Sequence, residues 1–279
     1  MSQGTPPRNP DFPFREEFAR TKFFATQENA AWLSSSPFIP DIALLVVNFV
    51  FAAFSVAIII WSGSNEGSAK WFIFLTNWGY LMVVLSFVGF VIVGVFQLWR
   101  RRSLLLQGKV DEELRQGLAV WNWLHALQQV IFSIGLASSI LITILYYALL
   151  SPRGGFLDVS VHALNTVLTV IAICLTNFKV NVLHFIYPLV FGVAYLIFSV
   201  IYTLSGGTNT QNRTYIYSPL DWNSKPGGAA ALSLPAVLIG IPVVHLICYG
   251  IMKLRVAIAR HACNKVAPSG GDGIAMRHV

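Results

Sequence analysis

Between Trp71 and Trp99 the chain runs for 29 residues without one charged side chain. That is longer than the roughly 20 apolar residues needed to cross the hydrocarbon core of a bilayer. Hydrocarbon holds no water to satisfy backbone N–H and C=O groups, so a run of this kind is constrained to be a helix. Five more apolar stretches read the same way, and the spans expected are 41–62, 71–99, 118–150, 157–178, 180–205 and 229–253. With 55% hydrophobic and 11% charged residues the composition is far from that of a soluble domain. The expected fold is all-α, a six-helix transmembrane bundle over 41–253. Residues 1–40, with Pro6, Pro7, Pro10, Pro13 and mixed charge, and the polar 254–279 read as tails. The start of the chain lacks an apolar region, so no cleavable signal peptide is expected.

The net charge of +7 could indicate nucleic-acid binding, and its distribution decides otherwise. If the amino terminus is cytoplasmic, 15 of the 19 Lys and Arg residues fall on that side, the Arg100 to Arg102 turn among them. Only Lys70, Arg153, Arg213 and Lys225 fall on the other. This is the bias of the positive-inside rule, and an even helix number puts both termini in the cytoplasm. Asn212-Arg213-Thr214 is a glycosylation sequon in the longest loop assigned outside, which agrees with that orientation. Cys174 and Cys248 read as small core residues of helices four and six. Cys263, flanked by Arg260 and Lys265 just after the last helix, is a lipidation candidate or an idle thiol. Phe14, Phe18, Phe23, Phe24 and Trp32 leave open an amphipathic helix on the inner leaflet. Trp61, Trp71, Trp99, Trp121, Trp123 and Trp222 stand near helix ends, as an interfacial belt places them, and Pro188, Pro235 and Pro242 are expected to kink helices five and six.

Polar side chains inside apolar spans are where function is sought, because each is costly there without a partner. Helix four carries the densest set: Asp158, His162, Asn165 and Thr169 fall at intervals of four, three and four, which is one helical face. Asp158 stands one turn from His162 and can fix its tautomer. His162 lies about one and a half turns below the outer face. Helix two starts at the same face and brings Thr76 and Asn77 to a similar depth. Together these groups could activate a nucleophile: His162 as base, Thr76 as attacking oxygen, Asp158 as orienter, and Asn77 or Asn165 as oxyanion donor. The alternative is that they bond one another and clamp helices two and four together.

A second polar set, Asn122, His125, Gln128, Gln129, His184 and His245, lies nearer the cytoplasm. Its histidines are spread over different helices without a CxxC or HExxH spacing, so no metal is expected. Snorkelling, capping and interfacial water account for them. The chain has no Gly-rich phosphate loop, and neither a cofactor nor a nucleic acid is expected.

Several segments carry a resemblance. They are 74–78 with Thr76 and Asn77, 158–166 with Asp158, His162 and Asn165, 183–192 with His184 and Pro188, 195–199, 206–208, and 217–222 with Tyr217 and Asp221. Taken in order, they resemble the rolling stone family over most of 70–255. That resemblance implies a multipass plasma-membrane protein acting in cell–cell interaction or fusion, the founding member being associated with myoblast fusion. Its partners would be membrane lipids and another membrane protein. More distantly, Phe74-Leu75-Thr76 and a histidine early in a later helix are similar to the androgen-induced-gene family of intramembrane threonine hydrolases. This second resemblance implies a lipid ester substrate, with Thr76 as nucleophile and His162 as base. Those hydrolases carry an Asn-His-x-x-His pattern. With His162 aligned to the second histidine, Asp158 and Val159 occupy the Asn-His positions. A shift by three residues instead puts Asn165 where the base belongs.

Overall fold

In the computed structural model, residues 31–110, 113, 123–150 and 154–266 are described. Six helices are long and apolar enough to cross a membrane: α1 Asp41–Glu66, α2 Leu75–Leu106, α3 Trp123–Leu149, α4 Phe156–Leu175, α5 Val182–Leu204 and α6 Pro226–Ala262. Among the described residues there is no strand, so the all-helical expectation is met. The expectations for residues 1–30, Trp121, Asn122 and the side chain of Cys263 fall outside what is described.

The centre of the bundle is α2 against α3, with α1 on the far side of α2. Small residues let the two central helices approach. A Cβ on Gly135 of α3 would stand 3.1 Å from the Met82 carbonyl of α2, so any larger residue there pushes the backbones apart. Phe90 of α2 and Phe132 of α3 meet edge to face at 4.8 Å between ring centroids, and Phe178 from the segment after α4 closes the stack at 4.7 Å from Phe132.

Helix ends differ from a pure hydropathy reading where local chemistry intervenes. The apolar run at 71–99 begins with a 3₁₀ turn, Ala69–Ile73, opened by the Ser68 side chain, which accepts from the Lys70 N–H at 3.0 Å. Helix α6 begins three residues before the expected 229, at Pro226, because a proline at the first helical position gives up an N–H that has no partner there. Pro188 does not kink a helix interior. It lies where the 3₁₀ turn Val182–Phe185 passes into the α-helical run beginning at Ile186, close to the helix start, where a missing N–H is tolerated. Pro235 has the stronger effect: the π turn Ala236–Gly240 follows it at once and interrupts the α-helical hydrogen bonding of α6.

The loops joining α1 to α2, α3 to α4 and α5 to α6 share one end of the bundle, here called the loop end. Trp61 near the end of α1 stacks on Phe156 at the start of α4, with ring centroids 6.1 Å apart. At the opposite end Arg101 of α2 pairs with Asp41 at the start of α1 at 3.2 Å.

Candidate functional site

The polar stripe of α4 faces α3. The Tyr146 hydroxyl donates to Asp158 Oδ1 at 2.6 Å, and its ring lies flat on the His162 imidazole, 3.5 Å between centroids and 1° from parallel. His162 Nε2 stands 3.7 Å from Asp158 Oδ1. One turn deeper, Thr143 donates to the His162 carbonyl, and its hydroxyl lies 2.7 Å from that of Thr166. Deeper still, the Ser139 and Thr169 hydroxyls are 2.9 Å apart. Ser139, Thr143 and Tyr146 follow a four-then-three spacing, one face of α3, and meet Thr169, Thr166 and Asp158 of α4; Asn165 of the expected stripe takes no part. In hydrocarbon such a ladder leaves few of its groups without a partner, which is a sufficient reason for it to exist. Residues Ser160–Leu164 form a π turn, so the stripe bends where His162 sits, and the imidazole Nδ1 is buried without a hydrogen bond.

The side of α4 that meets α2 is apolar: Val161 packs with Tyr80, Val84 and Ile58. Thr76, the second residue of α2, borders a different space. This is a cavity of about 130 Å³ enclosed by the start of α2, by α3, α5 and α6, and roofed by Tyr217 and Pro219 of the loop before α6. No charged side chain lines it; hydroxyls border it at Thr76, Tyr146, Tyr195, Tyr217 and Ser233, and at Ser138, eight residues deeper along α3 than Tyr146. The Tyr217 phenol interacts with the Thr76 hydroxyl, with the backbone N–H groups of Leu75 and Thr76, and with Tyr195; burial holds its pKa above the usual value. The two N–H groups belong to the first turn of α2, where helix geometry supplies no partner. Tyr195 in turn donates to the Ile73 carbonyl at 2.9 Å.

The residues expected to form one cluster are therefore distributed over two adjoining groups. Among the described residues no hydrogen bond joins Thr76 to His162; Tyr146, which borders the cavity and stacks on His162, is the neighbour they share. Asn77 donates to the Trp71 carbonyl at 2.6 Å and thereby closes the turn before α2. Asn165 donates to the Val161 carbonyl at 2.8 Å, within the π turn. Each asparagine amide thus has an N–H bound to nearby backbone.

Above the cavity the 205–225 segment is folded. Lys70 Nζ donates to Thr208 Oγ1 at 2.9 Å, to the Asn209 carbonyl at 2.8 Å and to Asn212 Oδ1 at 3.2 Å, so all three ammonium protons are engaged. Ile216 is buried, Trp222 donates to Ser199 Oγ at 3.2 Å, and Asn223 Nδ2 reaches the Thr214 carbonyl at 3.0 Å. Asn212 is exposed, with φ of 58°, a left-handed conformation that Asn adopts more readily than most residues. The bond from Lys70 uses Oδ1 and not Nδ2, the atom that would carry a glycan. Lys70 had been weighed only as a charge; nothing in its local sequence signals a clamp across 138 to 142 positions.

At the other end the described members of the second polar set, His125, Gln128, Gln129, His184 and His245, are buried, which removes the snorkelling explanation for them. The Gln97 amide meets His125 Nε2 at 3.0 Å, and Gln128 donates to the Ser86 carbonyl at 2.8 Å. The Gln129 amide meets His184 Nδ1 at 3.2 Å, Asn181 meets His184 Nε2 at 3.3 Å, and His245 bonds the Asn181 carbonyl at 2.9 Å. Arg255, counted above as a cytoplasmic charge, is only 4% exposed. Its Nη1 donates to the carbonyls of Ile173 (2.9 Å), Phe178 (3.1 Å) and Thr176, where α4 ends. A guanidinium is well placed there, because the last carbonyls of a helix lack partners and carry partial negative charge.

Comparison with known proteins places this architecture. Residues 14–271 match the family model described as Protein rolling stone. Protein rolling stone of Drosophila melanogaster is 25% identical over 195 residues, covering 67% of this chain and 68% of that one. No solved structure matches.

Proposed function

This chain belongs to the rolling stone family, and from that membership we propose that it acts at the plasma membrane in cell–cell interaction or fusion. In this reading both termini lie in the cytoplasm, and the loop end, with the 205–225 segment, faces the exterior. The observation that carries it is the Lys70 clamp. Adhesion or fusion needs a surface of fixed shape, and a 21-residue connection held by three bonds from one ammonium offers one, whereas an unclamped loop of that length would have to be ordered at each encounter. The partner is another membrane protein on the apposed cell.

Two measurements test this. Replacing residues 208–214 by a Gly/Ser linker removes the partners of Lys70 and the sequon together; the expected result is loss of cell fusion with surface expression retained, and undiminished fusion overturns the reading. Asn212→Gln is expected to abolish a glycan-dependent mobility shift. If wild-type protein from cells carries no glycan and an impermeant label reaches the Arg100 to Arg102 turn instead, the orientation is inverted.

A second reading, hydrolysis of a lipid ester by Thr76 with His162 as base and Asp158 as orienter, is favoured by the Asp158–His162 pair and by the placement of Thr76 on an apolar cavity. It requires the imidazole to leave Tyr146 and approach Thr76. Purified protein would hydrolyse ester lipids, and both Thr76→Ala and His162→Ala would abolish turnover. A parent protein without turnover removes this reading.

A further inference from the structure

Between the start of α2 and the second half of α5 the two helices meet through rings. The Trp78 centroid lies 5.2 Å from that of Phe198, 5.4 Å from Tyr195 and 6.2 Å from Phe191. Beside these rings runs a groove of about 410 Å³, separate from the cavity at Thr76 although Phe191 borders both. Phe72, 63% exposed, and Leu81, 37% exposed, stand on its rim, so it faces lipid when the helices span a membrane. Along α5 its lining runs from Tyr202 down to Phe191, eleven residues or about 16 Å. No charged side chain borders it. Its side-chain donors are already engaged: Trp78 Nε1 with the Phe72 carbonyl at 2.6 Å, Trp71 Nε1 with Ser62 Oγ at 3.0 Å, the Tyr202 hydroxyl with the Thr208 carbonyl at 2.8 Å, and Asn77 Nδ2 with the Trp71 carbonyl. One acceptor remains. Asn77 is 8% exposed and borders the groove, and among the described residues no hydrogen bond reaches its Oδ1.

We propose that this groove binds a sterol from the leaflet at the loop end, with the sterol hydroxyl donating to Asn77 Oδ1 and the fused rings lying against Trp78 and Phe198. A single open acceptor among engaged donors selects a guest whose one polar group is a donor. A phospholipid ester brings acceptors only and would leave the buried oxygen unpaired. A carboxylate would meet that oxygen with no counter-charge beside it. The walls then favour a rigid guest: Trp78 is held by its bond to the Phe72 carbonyl, an acyl chain would lose rotamers to follow such a surface, and a fused-ring nucleus has none to lose. Depth agrees as well. Asn77 is the third residue of α2, where a membrane-spanning helix leaves the interface, and a sterol places its hydroxyl there with its rings directed inward. The volume lies within the range of small-molecule sites, which are mostly apolar and aromatic with few polar groups. Because Tyr202 bonds the Thr208 carbonyl and Lys70 bonds the Thr208 hydroxyl, a filled groove also braces the start of the clamped segment. The binding does not rest on the fusion or hydrolase readings and is scored without either activity.

The test uses the full chain in phosphatidylcholine nanodiscs containing a trace of cholesterol with a diazirine on its second ring. Illumination followed by peptide mapping is expected to place adducts on Trp78, Leu81 and Phe198 well beyond those on Ile60 and Ile144, which are exposed elsewhere on the bundle. Leu81→Trp fills the groove and is expected to lower its adducts by about tenfold while the others persist. Unlabelled cholesterol should displace the probe at about fivefold lower concentration than cholestenone, the 3-ketone that lacks the hydroxyl donor, which is the effect of one neutral hydrogen bond. Adducts no denser in the groove than at Ile60 and Ile144 overturn the proposal, as does a map that Leu81→Trp leaves unchanged. Equal displacement by cholestenone overturns the bond to Asn77, and equal displacement by a diacylglycerol, which also carries one hydroxyl, overturns the choice of a sterol. If Leu81→Trp does not fold, the wild-type map and the competition series still decide.

Discussion

The two ends of the bundle handle buried polarity in opposite ways. At the end with Arg255, amides, imidazoles and a guanidinium bond α2 to α3, α3 to α5, and α6 to the end of α4 and the segment after it, in a buried polar layer with His125, His184 and His245 at most 2% exposed. At the loop end the polar groups are divided. Some form the ladder between α3 and α4, some clamp the loop, and the hydroxyls of Thr76 and Tyr217 border the cavity. A polar layer bonded across several helices fixes their positions relative to one another, whereas a divided set ties fewer elements together. The contrast makes the Arg255 end the place where loss of a buried polar bond should cost the most stability.

Breaking the buried layer should therefore have the largest effect on stability. Arg255→Met leaves carbonyls at the end of α4 unpaired in a buried setting, with an expected loss of about 3 kcal/mol. Cys174 and Cys248 are free thiols inside the bundle and report unfolding when a thiol-reactive dye reaches them on heating. Arg255→Lys should recover only part of the loss, since an ammonium lacks the planar fork. A shift in melting no larger than that of an exposed Arg→Met change would contradict the role given to Arg255.

The ladder should rank next. Tyr146→Phe keeps the ring on His162 but deprives Asp158 of its shorter hydrogen bond, and Thr143→Val removes both hydroxyl contacts to α4 and one to the Ser139 carbonyl; about 1 kcal/mol each is expected, with less than additive loss in the double variant. Lys70→Ala should follow at about 1 kcal/mol, but locally. Protease cleavage within 208–214 would rise while the thermal transition of the bundle stayed in place. A global shift of melting in Lys70→Ala would mean that the loop end is part of the same cooperative unit, and the division between the ends would fail.

How much of this was legible in the sequence depended on the range of the interaction. The helices follow from charge-free runs, a local property, and all six appear; the described ends fall within four residues of the expected limits except those of α2 and α6, which run on to Leu106 and Ala262, past the expected 99 and 253. The stripe on α4 was also legible, because a period of 3.6 is local. Its partner was not: Thr76 and the ladder residue Tyr146 lie at comparable depths, and hydropathy does not say which neighbour a face meets. Val161, one residue before His162, turns toward α2 and leaves the imidazole to α3. Lys70 and Arg255 were misread for a related reason. Each was counted by sign alone, yet a long side chain can carry its charge to carbonyls of a segment distant in sequence. The polar residues at the Arg255 end failed differently, since their positions near helix starts suggested contact with water and only the tertiary fold shows them covered.

The smallest predicted effect tests the turn that launches α6. Asp221 Oδ1 accepts the Ser224 N–H at 2.9 Å and the Asn223 N–H at 3.2 Å, while the Asp221 carbonyl accepts from Lys225, the residue before Pro226. The Ser224 N–H is the chief cause of an Asp221 pKa below its ordinary 3.8. A carboxyl group with a depressed folded pKa contributes stability above its unfolded pKa and loses that contribution as the pH falls through the folded value. The turn should therefore be indifferent to pH from neutrality down to about 4 and loosen only below it. Amide exchange at Asn223 and Ser224, followed against pH, measures this. Asp221→Asn, whose side-chain oxygen accepts the same bonds without titrating, should make exchange protection independent of pH at a slightly lower level. Protection that instead fades between pH 7 and 5 would point to a different titrating group. The loop end would then be coupled to the buried imidazoles, against the separation of the two ends.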